Sequence, residues 1–163
     1  MKRIALILLA VLLLVAGVSC EDEAETTEFA AFSVRGVTVA LDAEAAPIVA
    51  ALGEPRAFAE TNSCYGDGKD KVYEYQSFKV TTYSMSGKDY VLAVEIFDDA
   101  DATLATPEGI GVGASRDAVI KAYGESNDAS DTKLVYTNGG VKLRFLLTDG
   151  RVTSIKYLKA EAN

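Results

Sequence analysis

The pattern of hydrophobic and polar positions predicts two short helices, each followed by several strands. Near residues 46–53 and 117–124, two adjacent apolar residues stand four and three positions before a bulky one, so that all three share one helix face. Both segments then close on Gly-Glu, and a glycine just past a helix is a common stop signal. We therefore interpret the chain as α+β, with two helix-then-antiparallel-hairpin repeats whose helices pack on one face of a curved antiparallel sheet.

The residues at the helix starts differ between the two segments. Ser115 is a good N-cap for a helix from Arg116 to Tyr123. In the first segment, Asp42 is the natural cap by residue type, but a start there would place Pro47 at the fifth helical position, where its ring opposes a carbonyl. We therefore expect that helix to begin near Ala45, with Pro47 in the first turn.

Alternation of apolar and polar residues predicts the strands. Residues 29–39 read as one or two strands with Gly36 as a bend, and residues 71–75 and 78–83 as a hairpin with Tyr73 opposite Val80. Residues 89–97 form a longer run that is apolar on both faces, so we expect a central strand. The second unit supplies three more strands: 134–136, 141–147 and 152–158.

The register of the last hairpin decides which side chains share a sheet face. A two-residue link would mix apolar and polar side chains, whereas a three-residue link at 148–150 sets Leu143 opposite Ile155 and Val141 opposite Tyr157. We expect the second register, which leaves a basic, tyrosine-bearing face on the other side. An ordinary solvated sheet face is the alternative. The predicted protein-binding face comprises Lys79, Thr81, Tyr83, Lys142, Arg144 and Lys156.

The first 28 residues predict a leader and a tether. Residues 1–19 have a basic start and an apolar run too short for a comfortable membrane span, as in a signal peptide. The run ends in Ala16-Gly17-Val18-Ser19-Cys20, which resembles the lipobox of bacterial lipoproteins. That resemblance implies lipid attachment at Cys20, and Gly17, where an aliphatic is usual, leaves an ordinary signal-peptidase site as the alternative. Residues 20–28, rich in carboxylates after the cysteine, predict a solvated tether rather than a metal site.

Composition and charge exclude several classes of function. The 163-residue chain has a formal net charge of −8, which argues against nucleic acid as a partner. It has no histidine, which removes Ser-His-Asp and Cys-His catalysis and the commonest transition-metal ligand. We expect no enzyme activity, no cofactor and no metal site. Cys64 would lack a disulfide partner once Cys20 is acylated, and we expect it to be a small buried hydrophobe.

Several short motifs carry a resemblance to known families. They are Leu52-Gly53-Glu54-Pro55, Tyr123-Gly124-Glu125-Ser126, Asn62-Ser63-Cys64, Tyr73-Glu74-Tyr75 and Thr106-Pro107-Glu108-Gly109-Ile110. The first two, which end the short helices, resemble the tandem repeat of β-lactamase-inhibitory-protein-like domains, and small outer-membrane-assembly lipoproteins use a similar unit. The other three look most similar to segments of surface lipoproteins of Gram-positive bacteria, a similarity that covers roughly Phe29 to Tyr157. The resemblance implies a sheet with helices on one face and the other face available for protein contacts.

These observations together predict the organisation and the function. We expect a first repeat over residues 29–98 and a connector with a second repeat over residues 99–163. The expected function is that of an extracytoplasmic lipoprotein on the cell membrane, without catalysis, which binds an envelope or extracellular protein through the open sheet face. The alternative is a small-ligand or cation sensor that uses the turn at Asp98–Asp101 or the loop around Asp67.

Overall fold

The computed structural model describes residues 31–63, 65–98 and 104–160, which form ten strands and two helices. The elements are, in chain order, β1 (Ala31–Val34), β2 (Val37–Ala40), α1 (Ala45–Leu52), β3 (Ala57–Asn62), β4 (Lys69–Glu74), β5 (Phe78–Met85), β6 (Lys88–Ile96), α2 (Arg116–Tyr123), β7 (Asp128–Ser130), β8 (Lys133–Asn138), β9 (Val141–Thr148) and β10 (Arg151–Lys159).

Eight of the strands form one antiparallel sheet in the order β3-β4-β5-β6-β10-β9-β8-β7. The strands β6 and β10 pair in the middle, with Ile155 opposite Ile96 and Tyr157 opposite Val94. The predicted central position of the strand at residues 89–97 is therefore confirmed. The strands β1 and β2 form a separate two-stranded hairpin.

The prediction of an α+β fold built from two helix-then-hairpin repeats is wrong. Among the described residues, 54% are in strands and 13% in helices, so the structure is mostly β. Each helix has only eight residues. The strands of the two expected repeats do not form two sheets, because backbone hydrogen bonds between β6 and β10 join all eight into one. A β-hairpin precedes α1, while only isolated β-bridges are formed by the described residues just before α2.

The core lies on one face of the large sheet. Phe32 of β1 packs against the rings of Phe78 and Tyr157, with ring centroids 6.3 Å and 6.1 Å apart. Ile48 of α1 and Val119 of α2 belong to the same buried cluster as the apolar side chains of the central strands. The hairpin β1–β2 and both helices therefore cover this face, and the polar side chains that alternate with the core residues point to the other face.

The predicted helix boundaries are confirmed. Helix α1 begins at Ala45, so Pro47 lies in its first turn. Helix α2 begins at Arg116, and the Ser115 hydroxyl accepts a hydrogen bond from the amide of Ala118 at 3.2 Å. Each helix ends at a glycine with positive φ whose amide donates to a carbonyl four residues earlier, which removes one unsatisfied acceptor.

The predicted register of the first hairpin is confirmed, with Tyr73 opposite Val80, but that of the last hairpin is wrong. The turn between β9 and β10 has two residues, Asp149 and Gly150, both with positive φ, so Arg151 pairs with Thr148. A bulge at Thr153 then inserts one residue, which places Leu143 opposite Tyr157. The bulge restores an apolar core face that a regular two-residue hairpin would have lost.

Candidate functional site: the uncovered face of the sheet

The candidate site is the face of the large sheet that the helices do not cover, which we call the open face. Its side chains alternate with core residues: Lys79 stands between Phe78 and Val80, and Glu95 between Val94 and Ile96. All six residues that the sequence predicts for a protein-binding face lie on strands of this sheet: Lys79, Thr81, Tyr83, Lys142, Arg144 and Lys156.

Glu95 lies in the middle of the open face and neutralises two of the predicted cations. Its carboxylate forms ion pairs with Lys79 at 3.2 Å and with Lys156 at 3.6 Å, and it accepts a hydrogen bond from the Ser154 hydroxyl at 3.2 Å. Partial burial acts to raise the pKa of the Glu95 carboxyl, but the hydrogen bond and charge of Lys79, with the charge of Lys156, lower that pKa below its ordinary value. We call Lys79, Glu95 and Lys156 the neutralised patch.

Glu95 is not among the predicted site residues, although the sequence contains a signal for it. It is the single carboxylate between Val91 and Ile96 of a strand otherwise rich in apolar residues. An acidic side chain in such a strand requires a cationic partner. The basic residues predicted on neighbouring strands are candidates for that partner.

Tyr83 lies on this side of the sheet but is not accessible. Only 5% of its surface is exposed, because the ring of Tyr65 packs edge-on against it at 5.0 Å. The Tyr83 hydroxyl donates to Asp42 at 2.8 Å, and the Lys159 ammonium donates to the same carboxylate at 3.0 Å. Burial acts to lower the pKa of Lys159, but the hydrogen bond to Asp42 raises that pKa above its ordinary value. Tyr83 therefore serves this internal cluster.

The loop between β3 and β4 holds Tyr65 in place. The amide of Asp67 donates to the Ser84 carbonyl at 3.0 Å, and its carboxylate accepts from the amide of Ser86 at 3.0 Å. A Cβ on Gly66 would lie 1.9 Å from the Ser84 carbonyl oxygen, so only glycine allows this approach. The close contact explains why the loop carries glycine here and how Tyr65 comes to cover Tyr83.

Lys142 and Arg144 on β9 form a second group, which we call the cationic patch. Within the part of the chain that the structure describes, neither forms an ion pair, and the buried Nε of Arg144 has no hydrogen-bond partner. Arg144 faces Lys156 of β10 on one side and Val135 of β8 on the other. Two positive charges thus remain uncompensated beside a third.

A depression of about 380 Å³ lies at the cationic patch. Lys142, Arg144, Val135 and Leu158 line it together with the ion pair between Lys133 and Asp128, whose charged atoms are 2.6 Å apart. A second depression, of about 330 Å³, lies on the other side of Leu158 and is lined in part by Thr81, Tyr65 and Lys156. The open face therefore offers two shallow recesses, of which the first contains the uncompensated charge.

The remaining predicted sites fall into two groups. Cys20, Cys64 and residues 99–101 of the acidic turn lie outside the described residues. Asp67 is described, and its carboxylate is engaged in holding its own loop. Among the described residues, no group of three or more Cys, Asp or Glu side chains is placed to hold a metal ion, and no helix is long and apolar enough to cross a membrane.

Comparison with known proteins gives one structural neighbour. No family model and no curated protein matches the chain. The chain is similar to the crystal structure of a DUF4309 family protein, YjgB, from Bacillus subtilis subsp. subtilis str. 168, at 19% sequence identity and a TM-score of 0.47. The match covers 78% of this chain and 84% of that one. This neighbour comes from a Gram-positive bacterium.

Proposed function

We propose that the chain is a non-catalytic lipoprotein, held on the outer side of a membrane through Cys20, that binds another protein through the open face. The basic start, apolar run and Ser19-Cys20 of the sequence support the anchor. Two acyl chains would make that anchor stable, because each buried methylene contributes about 0.8 kcal/mol.

The cationic patch is the observation that carries the binding proposal. Uncompensated like charges on neighbouring positions of a sheet do not stabilise the fold, so a role in folding does not explain Lys142 and Arg144. Arginine is enriched among the residues that dominate protein interfaces. Beside the patch, Leu146 is 37% exposed and Leu158 is half-buried, so apolar contact is available next to the charges.

A photo-cross-linking side chain placed at position 137 tests this proposal. Thr137 is exposed and lies directly opposite Lys142, at the edge of the patch. A matched control carries the same side chain at Ala122, which is exposed on α2 at the opposite side of the molecule. In cells that produce the full chain, we expect a discrete protein adduct from position 137 and not from position 122.

The anchor is tested in the same cells by Cys20→Ala. We expect the variant to leave the membrane fraction and to lose the mass of the acyl groups. Equal adducts from both cross-linking positions, or none from either, would contradict protein binding through the open face. Unchanged fractionation and mass of the Cys20→Ala chain would contradict the lipid anchor.

A further inference from the structure

The cationic patch has the composition of a site for a single carboxylate, and this inference rests on the proposed function because it names the chemistry of the partner. Lys142 and Arg144 are separated by one residue on β9, so their Cα atoms are about 7 Å apart on the same face. Two cationic side chains at that spacing can converge on one anionic group.

The unsatisfied Nε of Arg144 indicates the geometry of that group. A carboxylate binds a guanidinium through two parallel N–H···O bonds, and one common arrangement uses Nε together with a terminal nitrogen. Arg144 is partly exposed as a residue while its Nε is buried without a hydrogen-bond partner among the described residues. A turn of the guanidinium into the recess would bring both nitrogens to a ligand, and the ligand would remove an unsatisfied buried donor.

The walls of the recess limit the charge of that ligand. The Asp128 carboxylate belongs to the lining, and Glu95 lies nearby, paired with the Lys156 that faces Arg144. These negative charges, within a chain of net charge −8, disfavour a dianionic phosphate or a polyanion more than a single carboxylate. Val135 and Leu158 supply apolar contact on the two neighbouring strands, which suits the carbon atoms of a side chain.

We propose that the recess between Val135 and Leu158 binds the carboxylate of an aspartate or glutamate side chain presented by the partner protein. Arg144 forms the bidentate hydrogen bonds, and Lys142 adds a second charge. Lys133 does not take part, because Asp128 already pairs with it. The partner segment is thus acidic at one position and is not a phosphorylated or nucleic-acid ligand.

Nuclear magnetic resonance on the full chain in zwitterionic detergent tests the recess without the partner. The probes are the peptide acetyl-Ala-Glu-Ala-amide, its glutamine counterpart and inorganic phosphate, each titrated at 0.15 M salt. We expect the glutamate peptide to shift the Nε–H resonance of Arg144 and the amides of Val135 and Thr137, with a millimolar dissociation constant. Arg144→Gln should weaken that binding roughly tenfold, as loss of a charge-assisted pair predicts, whereas Lys121→Gln on the exposed side of α2 should not.

Each contrary outcome overturns a distinct statement. Equal shifts with the glutamine peptide, shifts with phosphate alone, or unchanged binding by Arg144→Gln would each overturn the carboxylate recess. Peptide binding without any photo-cross-linked adduct from position 137 would overturn the proposed function and leave the recess standing. An adduct from position 137 without any peptide binding would overturn the carboxylate recess and leave the proposed function standing.

Discussion

The neutralised patch and the cationic patch occupy the same face of the same sheet, but the basic side chains are ion-paired in the first and not in the second. Lys79 and Lys156 share one carboxylate, Glu95, from the strand between them. Lys142 and Arg144 lie one strand further along, and the neighbouring strand offers Val135 and Thr137 in place of an acid. The difference distinguishes basic residues that are ion-paired within the fold from basic residues whose charge is left for the proposed partner.

The two sides of the face also differ in cover. The loop between β3 and β4 places Tyr65 over Tyr83, and Asp42 pairs with Lys159 beside them. Over the cationic patch the lining residues are partly or fully exposed, and the recess contains the hydrocarbon of Leu158 and the charge of Arg144. The difference in cover and in charge pairing favours the cationic patch as the proposed binding surface within the open face.

Removing the cover should give the largest effect on stability. In Gly66→Ala, the added Cβ would overlap the Ser84 carbonyl, so the loop must move and Tyr65 must leave Tyr83. We expect the free energy of unfolding to fall by about 2 kcal/mol, as for other overpacked sites, measured by urea denaturation.

Gly140→Ala is the control for that substitution. Unlike Gly66, Gly140 has a positive φ, of 77°, and a Cβ there would meet nothing within 4 Å, so only backbone strain of about 1 kcal/mol is expected. An equal decrease in the free energy of unfolding for the two variants would show that the close approach of Gly66 to the Ser84 carbonyl does not hold the loop.

Glu95→Gln should give the next largest effect and should depend on pH. The folded-state pKa of Glu95 is lowered from an ordinary value of 4.5, so its stabilisation is fully present above that value and is lost as the pH falls through the folded pKa. We expect the variant to be about 1 kcal/mol less stable than the parent at pH 7 and nearly equal to it well below the folded pKa.

Urea denaturation of Glu95→Gln and of the parent, from pH 7 to well below the folded-state pKa of Glu95, measures the difference between their free energies of unfolding. Glu125→Gln serves as the control, because Glu125 is exposed and makes no ion pair with another described residue. A constant difference between Glu95→Gln and the parent at every pH would mean that the Glu95 charge does not contribute to folding.

Much of the local structure could be predicted from the sequence because it depends on neighbours in the chain. The start of α1 follows from the position of Pro47, and the start of α2 from the hydroxyl of Ser115. The edge strands β3 and β7 were missed, because every one of their residues is exposed and no alternation of apolar and polar residues marks them. They form because the adjacent strands offer unpaired backbone groups.

The candidate site was predicted less completely because it depends on contacts between distant segments. As long as the core face stays apolar, strand periodicity places Lys142, Arg144 and Lys156 together on the other face. This holds for the predicted three-residue turn and for the observed two-residue turn with its bulge. The periodicity does not reveal that Glu95 of β6 neutralises Lys156, or that Asp42 and Tyr65 enclose Tyr83. The contact between Glu95 and Lys156 arises only when β6 and β10 pair. The enclosure of Tyr83 requires the β3–β4 loop and the segment after β2 to meet at β5.

The smallest expected effect on stability comes from reversing the cationic patch with Lys142→Glu and Arg144→Glu. Arg144 faces Lys156 directly, and like charges at such positions destabilise a sheet by a few tenths of a kcal/mol. The double variant should therefore be as stable as the parent, or more stable by a similar amount, while the adduct from position 137 is lost. A loss of stability as large as that of Glu95→Gln would show that both patches serve the fold. An unchanged adduct from a stable variant would mean that the cationic patch is ordinary solvated sheet.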